Sequence, residues 1–139
     1  MLVLILRLLV DFGLLVLIWL IQLIVYPSFL HYQRENLVTW HRKYTPLIGY
    51  IVGPLMLVQL VLVIYQISFE ITFFTMGSLL MVCAVWGITL ITFVPRHRAI
   101  SRGRVNEKLL LDLVRKNWSR TILWTLLFLC SAIYSAYKF

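Results

Sequence analysis

Long stretches without a charged side chain alternate along this sequence with shorter stretches crowded with charge. The uncharged runs cover 12–33, 44–69, 71–95 and 121–137, which is 22, 26, 25 and 17 residues. An apolar helix crosses a bilayer core in roughly 20 residues at about 1.5 Å each. The first three runs meet that length, and the fourth does once Trp118 and Ser119 are counted with it. Lipid offers no partner to a backbone N–H or C=O, so runs of this kind are expected to be helical. The pattern therefore predicts an all-α polytopic membrane protein, a four-transmembrane-helix bundle forming one domain over 1–139. Tyr26-Pro27 reads as the end of the first helix at the membrane surface, because proline lacks the N–H that a helix interior uses. The first run has no small-residue cleavage site and is too long for a signal peptide, so it reads as a retained helix.

The polar stretches between the runs keep a helical period. In Arg34–Tyr44 the residues Leu37, Trp40, His41 and Tyr44 recur at i, i+3, i+4 and i+7, one face of an amphipathic helix. After the turn Ser101-Arg102-Gly103-Arg104, Asn106 is placed to cap a helix opening at Glu107. Leu110, Leu113, Val114, Asn117, Trp118 and Thr121 then form a stripe leading into the fourth span. Lys108/Asp112 and Asp112/Lys116 stand at the spacing of helical ion pairs. Two loops containing amphipathic helices are expected on this basis.

Charge gives the bundle an orientation. The chain has 13 Lys and Arg against five Asp and Glu, a net charge of +8. Eleven of the 13 lie between spans 1 and 2 or around the junction of spans 3 and 4, while Gln66–Glu70 between spans 2 and 3 has none. The positive-inside rule then predicts two basic cytoplasmic loops, both termini outside, and a bacterial inner (cytoplasmic) membrane location. With 62% apolar and aromatic residues and 13% charged, against roughly 25% charged in soluble domains, the composition excludes a soluble enzyme, a secreted disulfide scaffold and a free-standing DNA-binding module. The basic excess points to topology signalling and anionic lipid headgroups as partners, with no nucleic acid. Cys83 and Cys130, near the middle of their spans, read as small buried packing residues.

Candidate chemistry gathers at the basic end. His31, His41 and His97 fall at one depth there, near Tyr44, Asn117 and Arg120. Imidazoles can shuttle protons or ligate a metal or haem iron, which makes His41 and His97 the candidate catalytic residues and the only plausible metal ligands. No fixed ligand spacing demands a cofactor; haem or a metal is possible but not required. Gln22 and Gln59, inside apolar runs, each expect a partner across helices and are candidate ligand-binding residues with Tyr44, Asn117 and Arg120. Arg7 and Asp11, one turn apart, can neutralise each other, and Arg7 is near enough to an end to snorkel. Gly49 and Gly53 in Gly49-Tyr50-Ile51-Val52-Gly53-Pro54 suggest a helix-packing face, through which a homo- or hetero-oligomer is possible. The four-Glu, two-His di-iron arrangement cannot be built from these carboxylates.

The order Gln22…Tyr26-Pro27-x-Phe29, His41-x-x-Tyr44, Gly53-Pro54-x-Met56, Pro95-x-His97 and Asn117-Trp118-x-Arg120-Thr121 resembles a family of small four-helix bacterial membrane proteins. It is similar in layout to anthrone-oxygenase-like membrane proteins and, more distantly, to the HemJ-type protoporphyrinogen oxidase. The resemblance implies a four-helix fold and a redox or oxygenase-like activity on a hydrophobic ligand. The helix 1 histidine and helix 3 lysine of the HemJ type are absent here. The small bacterial family often carries histidine at the position of Tyr44 and glutamate at that of Gln59. The alternative function is a non-catalytic accessory or assembly subunit of a larger membrane complex, consistent with the small size and the sparse catalytic inventory.

Overall fold

In a computed structural model that describes residues 1–138, four long helices account for nearly all of the chain, with no strand among the described residues. They are α1 (Leu2–His31), α2 (Arg34–Phe69), α3 (Phe73–Ser101) and α4 (Glu107–Lys138), each long and apolar enough to cross a membrane. Helix α1 packs on α2 and α4, and α3 packs on the same two, so the connections run up and down around a four-cornered bundle. Leu14, Ile18, Val63, Val82, Val85, Leu113 and Leu127 fill its axis, while the outward faces carry large apolar side chains such as Leu9, Leu23, Tyr50, Leu80 and Ile133.

The basic stretches are not separate loop helices, as the sequence suggested. Each runs unbroken into its span: α2 begins at Arg34 and α4 at Glu107. The reason is phase. Leu37, His41, Tyr44 and Ile48 stay on one stripe, so nothing in the backbone marks where charge gives way to apolar sequence. The connections shrink to 32–33, 70–72 and 102–106. In the last of these Gly103 takes φ +78°, the left-handed value that favours glycine, and the Asn106 carboxamide accepts the Leu109 N–H at 2.7 Å as expected of a cap. Thr72 caps α3 through reciprocal bonds with Thr75.

Tyr26-Pro27 does not end α1. A π turn at Ile21–Val25 precedes it, and the helix continues to a closing 3₁₀ turn at Phe29–His31. The same device recurs in α3, where a π turn at Thr89–Phe93 precedes Val94-Pro95. A proline ring meets the carbonyl four residues before it in a regular α-helix, and a wider turn just upstream relieves that crowding.

Other expectations need correction. Cys83 is exposed on the outer surface of α3, not packed inside. Nothing lies within 4 Å of a Cβ built at Gly49 or Gly53, so no helix of this chain uses that face for close approach. The Lys108/Asp112 and Asp112/Lys116 pairs do not form; among the described residues the ion pairs are Arg7–Asp11 and Glu70–Lys138. Water competes for these side chains at this wet end, where such pairs contribute little.

Arg7 does not snorkel. It is 1% exposed and lies beside an Asp11 that is fully enclosed. Arg7 Nε donates to Asp11 Oδ2 at 2.7 Å and its Nη1 to Gln66 Oε1 at 2.9 Å. Gln59 Nε2 donates to Asp11 Oδ1 at 2.6 Å, and Ser131 donates to Oδ2. One carboxylate thereby ties α1, α2 and α4 together at the end opposite the basic residues.

Candidate functional site

Tyr26 directly follows the π turn of α1, and His97 comes one turn after that of α3; the two side chains meet inside the bundle. There the side chains form a continuous hydrogen-bonded chain. Ser101 Oγ lies 2.8 Å from His41 Nδ1, and His41 Nε2 lies 2.8 Å from His97 Nδ1. His97 Nε2 lies 2.9 Å from the Tyr26 hydroxyl, to which Arg120 Nη2 donates at 3.1 Å. The imidazoles stack, with ring centroids 5.1 Å apart and planes 19° apart.

A second set of bonds holds the arginine. Arg120 Nη2 and Nε donate to Asn117 Oδ1 at 2.6 and 3.0 Å, and its Nη1 reaches Thr89 Oγ1 at 3.4 Å. Asn117 Nδ2 donates to Gln22 Oε1 at 2.9 Å, Thr121 Oγ1 donates to the same oxygen at 3.2 Å, and Gln22 Nε2 donates to the Val114 carbonyl at 3.2 Å. Every polar atom of Asn117 and Gln22 is engaged, so both are supports for Arg120 with little left for a ligand. The guanidinium carbon sits 3.7 Å from the centre of the Phe93 ring, a cation–π contact that fixes its other face.

This chain ends on an apolar cleft of about 150 Å³. Leu17, Ile18, Ile21, Ile48 and Val52 line its body, and Tyr26, Tyr44, His97 and Arg120 supply its polar end. Its exposed lining residues, Gly49 and Val94, lie on α2 and α3, so the mouth opens sideways between those helices. A few convergent polar groups at one end of an apolar pocket is the usual anatomy of a small-molecule site. A larger cavity of about 290 Å³ lies at the opposite end, but the charges on it, Glu70 and Lys138, are exposed and neutralise each other.

Of the residues singled out in the sequence, His41, His97, Gln22, Asn117 and Arg120 meet in one network, and Tyr44 lines the cleft beside it. Gln59 does not join them. It bridges Trp124 Nε1, at 3.2 Å, to Asp11, so it belongs to the opposite clamp and touches the cleft only through Trp124. His31 is exposed and apart. Tyr26, Ser101 and Thr89 were missed. Tyr26 had one visible mark, an aromatic residue set before a proline inside an apolar run; Ser101 and Thr89 had none.

The chemistry available is proton transfer. Two imidazolium ions cannot share a hydrogen bond, so at the His41–His97 contact one nitrogen carries hydrogen and the other offers its lone pair. Reversing every bond in the chain moves a proton between Ser101, at the surface turn, and Tyr26, at the cleft. Arg120 donates to the Tyr26 oxygen in either direction, which favours negative charge developing there. The pair is less suited to a metal. All four imidazole nitrogens are already hydrogen-bonded, and among the described residues no cluster of three His, Cys, Asp or Glu side chains surrounds a common point. Binding a metal or haem iron at these imidazoles would require breaking the chain.

Comparison with known proteins finds no matching family, no matching curated protein and no matching solved structure.

Proposed function

We propose that this is a multi-pass bacterial inner-membrane protein that draws a lipophilic ligand sideways from the inner leaflet and exchanges a proton with it at Tyr26. The observation that carries this reading is the unbroken chain Ser101–His41–His97–Tyr26 ending at an apolar cleft that opens between α2 and α3. The positive-inside rule puts the Ser101 end, with Arg34, Arg42, Arg98, Arg102 and Arg104, at the cytoplasmic face and both termini outside. The basic side chains there meet anionic lipid headgroups. Arg34 and Arg42 of α2 also donate to the Gly103 and Ser101 carbonyls, at 2.7 and 2.8 Å, so the turn that carries the outer end of the relay is pinned in place.

In this reading His97 is the acid–base partner of Tyr26, His41 relays the proton, and Arg120 orients the ligand's oxygen-bearing head. Such a site supplies the protein's share of a redox or oxygenase-like reaction, the removal or return of a proton. None of these side chains accepts an electron pair, so a redox reaction here draws its oxidant or reductant from outside the chain's own side chains. A second reading, an accessory subunit of a larger complex, draws support from the open Gly49/Gly53 face.

The test compares lipid extracts of membranes containing wild-type, His41→Ala, His97→Ala or Tyr26→Phe protein by mass spectrometry. A lipophilic species altered by the wild type and by none of the variants, with all four inserted equally, is the expected outcome. General acid–base groups contribute roughly 10²–10⁴-fold, so the losses should be plain. Variants that act like wild type contradict the reading. A wild type that alters no species but elutes with a stoichiometric partner favours the accessory role.

A further inference from the structure

We propose that the ligand of the cleft is a carboxylate-bearing amphiphile, its head against Arg120 and its tail left in lipid between α2 and α3. This rests on the lateral-cleft reading above and adds the chemical class of what enters.

Charge is the first ground. Arg120 is 5% exposed, and its partners Tyr26, Asn117 and Thr89 are all neutral. The described residues place no carboxylate within ion-pair distance of it. The other deeply buried arginine, Arg7, has Asp11 beside it. A guanidinium enclosed in an apolar bundle is costly without an anion, so the bundle is incomplete in charge at one place, and that place is the polar end of the cleft. Arg120 is the sole Lys or Arg on the cleft wall. One cation matches a carboxylate, with a single charge; a phosphomonoester carries about −1.5 to −2 near neutral pH and would find no second cation.

Geometry is the second. Nε and Nη2 of Arg120 are committed to Asn117 and Tyr26, whereas Nη1 has only the long 3.4 Å contact to Thr89, itself on the cleft wall. Nη1 and the Tyr26 hydroxyl are the donors left for the two oxygens of a carboxylate, one bond charge-assisted and one neutral.

Size is the third. Pockets that enclose a whole small molecule hold roughly 300–1,000 Å³. At about 150 Å³ this one takes a head and a short length of chain, and the remainder must leave through the mouth. The exposed Gly49 at that mouth has nothing within 4 Å of where its Cβ would be. The first atom of a side chain added there meets no neighbour, and Gly49 is part of the cleft lining, so a bulky residue at this position probes the mouth.

The experiment measures equilibrium binding of radiolabelled oleate, oleyl alcohol and decyl-ubiquinone to the full chain in phosphatidylcholine nanodiscs. It is run at alkaline pH, where the fatty acid is ionised, and corrected with protein-free discs. The expected result is saturable binding of one oleate per chain, with oleyl alcohol weaker by roughly tenfold or more. Arg120→Gln should reduce oleate to the level of the alcohol, and Gly49→Leu should remove binding while leaving the hydrogen-bonded network intact. Equal affinity for oleate and oleyl alcohol, or oleate binding unchanged in Gly49→Leu, overturns the assignment. Tight decyl-ubiquinone binding that Gly49→Leu abolishes, with weak oleate, overturns the carboxylate while sparing the cleft as a ligand site. If Gly49→Leu changes the binding of none of the three probes, the cleft reading fails with it.

Discussion

Asp11 shows how much one enclosed charge can organise. It has no solvent exposure, and its two oxygens take hydrogen from Arg7, Gln59 and Ser131 on three different helices. Breaking a buried pair by removing one charge leaves the other without compensation, which costs roughly 3–5 kcal/mol, whereas replacing both by apolar groups is often near neutral. Asp11→Asn should therefore destabilise the bundle by about that amount, and Arg7→Met with Asp11→Leu should recover most of the loss. Unfolding by sodium dodecyl sulfate, followed by circular dichroism, gives both values. A neutral Asp11→Asn would show that the carboxylate is not what ties the helices. The (i, i+4) spacing of Arg7 and Asp11 is visible in the sequence. Their remaining partners, 48 and 120 residues away from Asp11, are not, because helix periodicity tells which face a residue occupies and not which residue it meets. For the same reason Gln59 could be expected to find a polar partner and still be assigned to the wrong end.

At the scale of elements, the four helices were legible from hydrophobic run length, while their extents were not. Charge looked like a boundary at Tyr44 and at Thr121, yet the apolar stripe crosses both points in phase. The π turns were invisible, since a single inserted residue barely disturbs an apolar run. They are nevertheless what builds the site. A π turn amounts to one extra residue in an α-helix, and each residue turns the helix by about 100°. Deleting Ile24, which is 61% exposed, should restore regular α1 and swing Tyr26 away from His97. The expected signature is an unchanged helical circular dichroism spectrum with a shifted ¹⁵N resonance for His97 Nε2. A resonance left in place would mean that Tyr26 does not need the π turn to reach it.

Across the whole molecule, polar side chains collect at two levels of an otherwise apolar bundle, with Trp124 between them. Its indole N–H reaches Gln59 of the Asp11 clamp, and its ring forms part of the cleft wall, 5.8 Å from the Arg120 guanidinium carbon. The clamp is neutral within itself, both Asp11 oxygens being bonded while only Arg7 Nη2 is left without a partner; the cluster at the basic end carries a net positive charge and opens on a cavity. That asymmetry distinguishes a structural polar cluster from a candidate site, and composition alone cannot show it because both use the same residue types. The basic end was recognisable from the placement of charge and histidine, whereas the order of the relay depends on side chains brought together from α1, α2, α3 and α4.

The proposed function requires His41 and His97 to form one proton-conducting unit with Tyr26. Solid-state ¹⁵N spectroscopy of histidine-labelled protein in lipid bilayers tests it directly, with the exposed His31 as an internal reference. The expected result is a coupling across the hydrogen bond between His41 Nε2 and His97 Nδ1, one nitrogen protonated and one bare, with His97 Nε2 perturbed by Tyr26→Phe. No coupling between the two imidazoles, with His97 Nε2 unmoved by Tyr26→Phe, would contradict it.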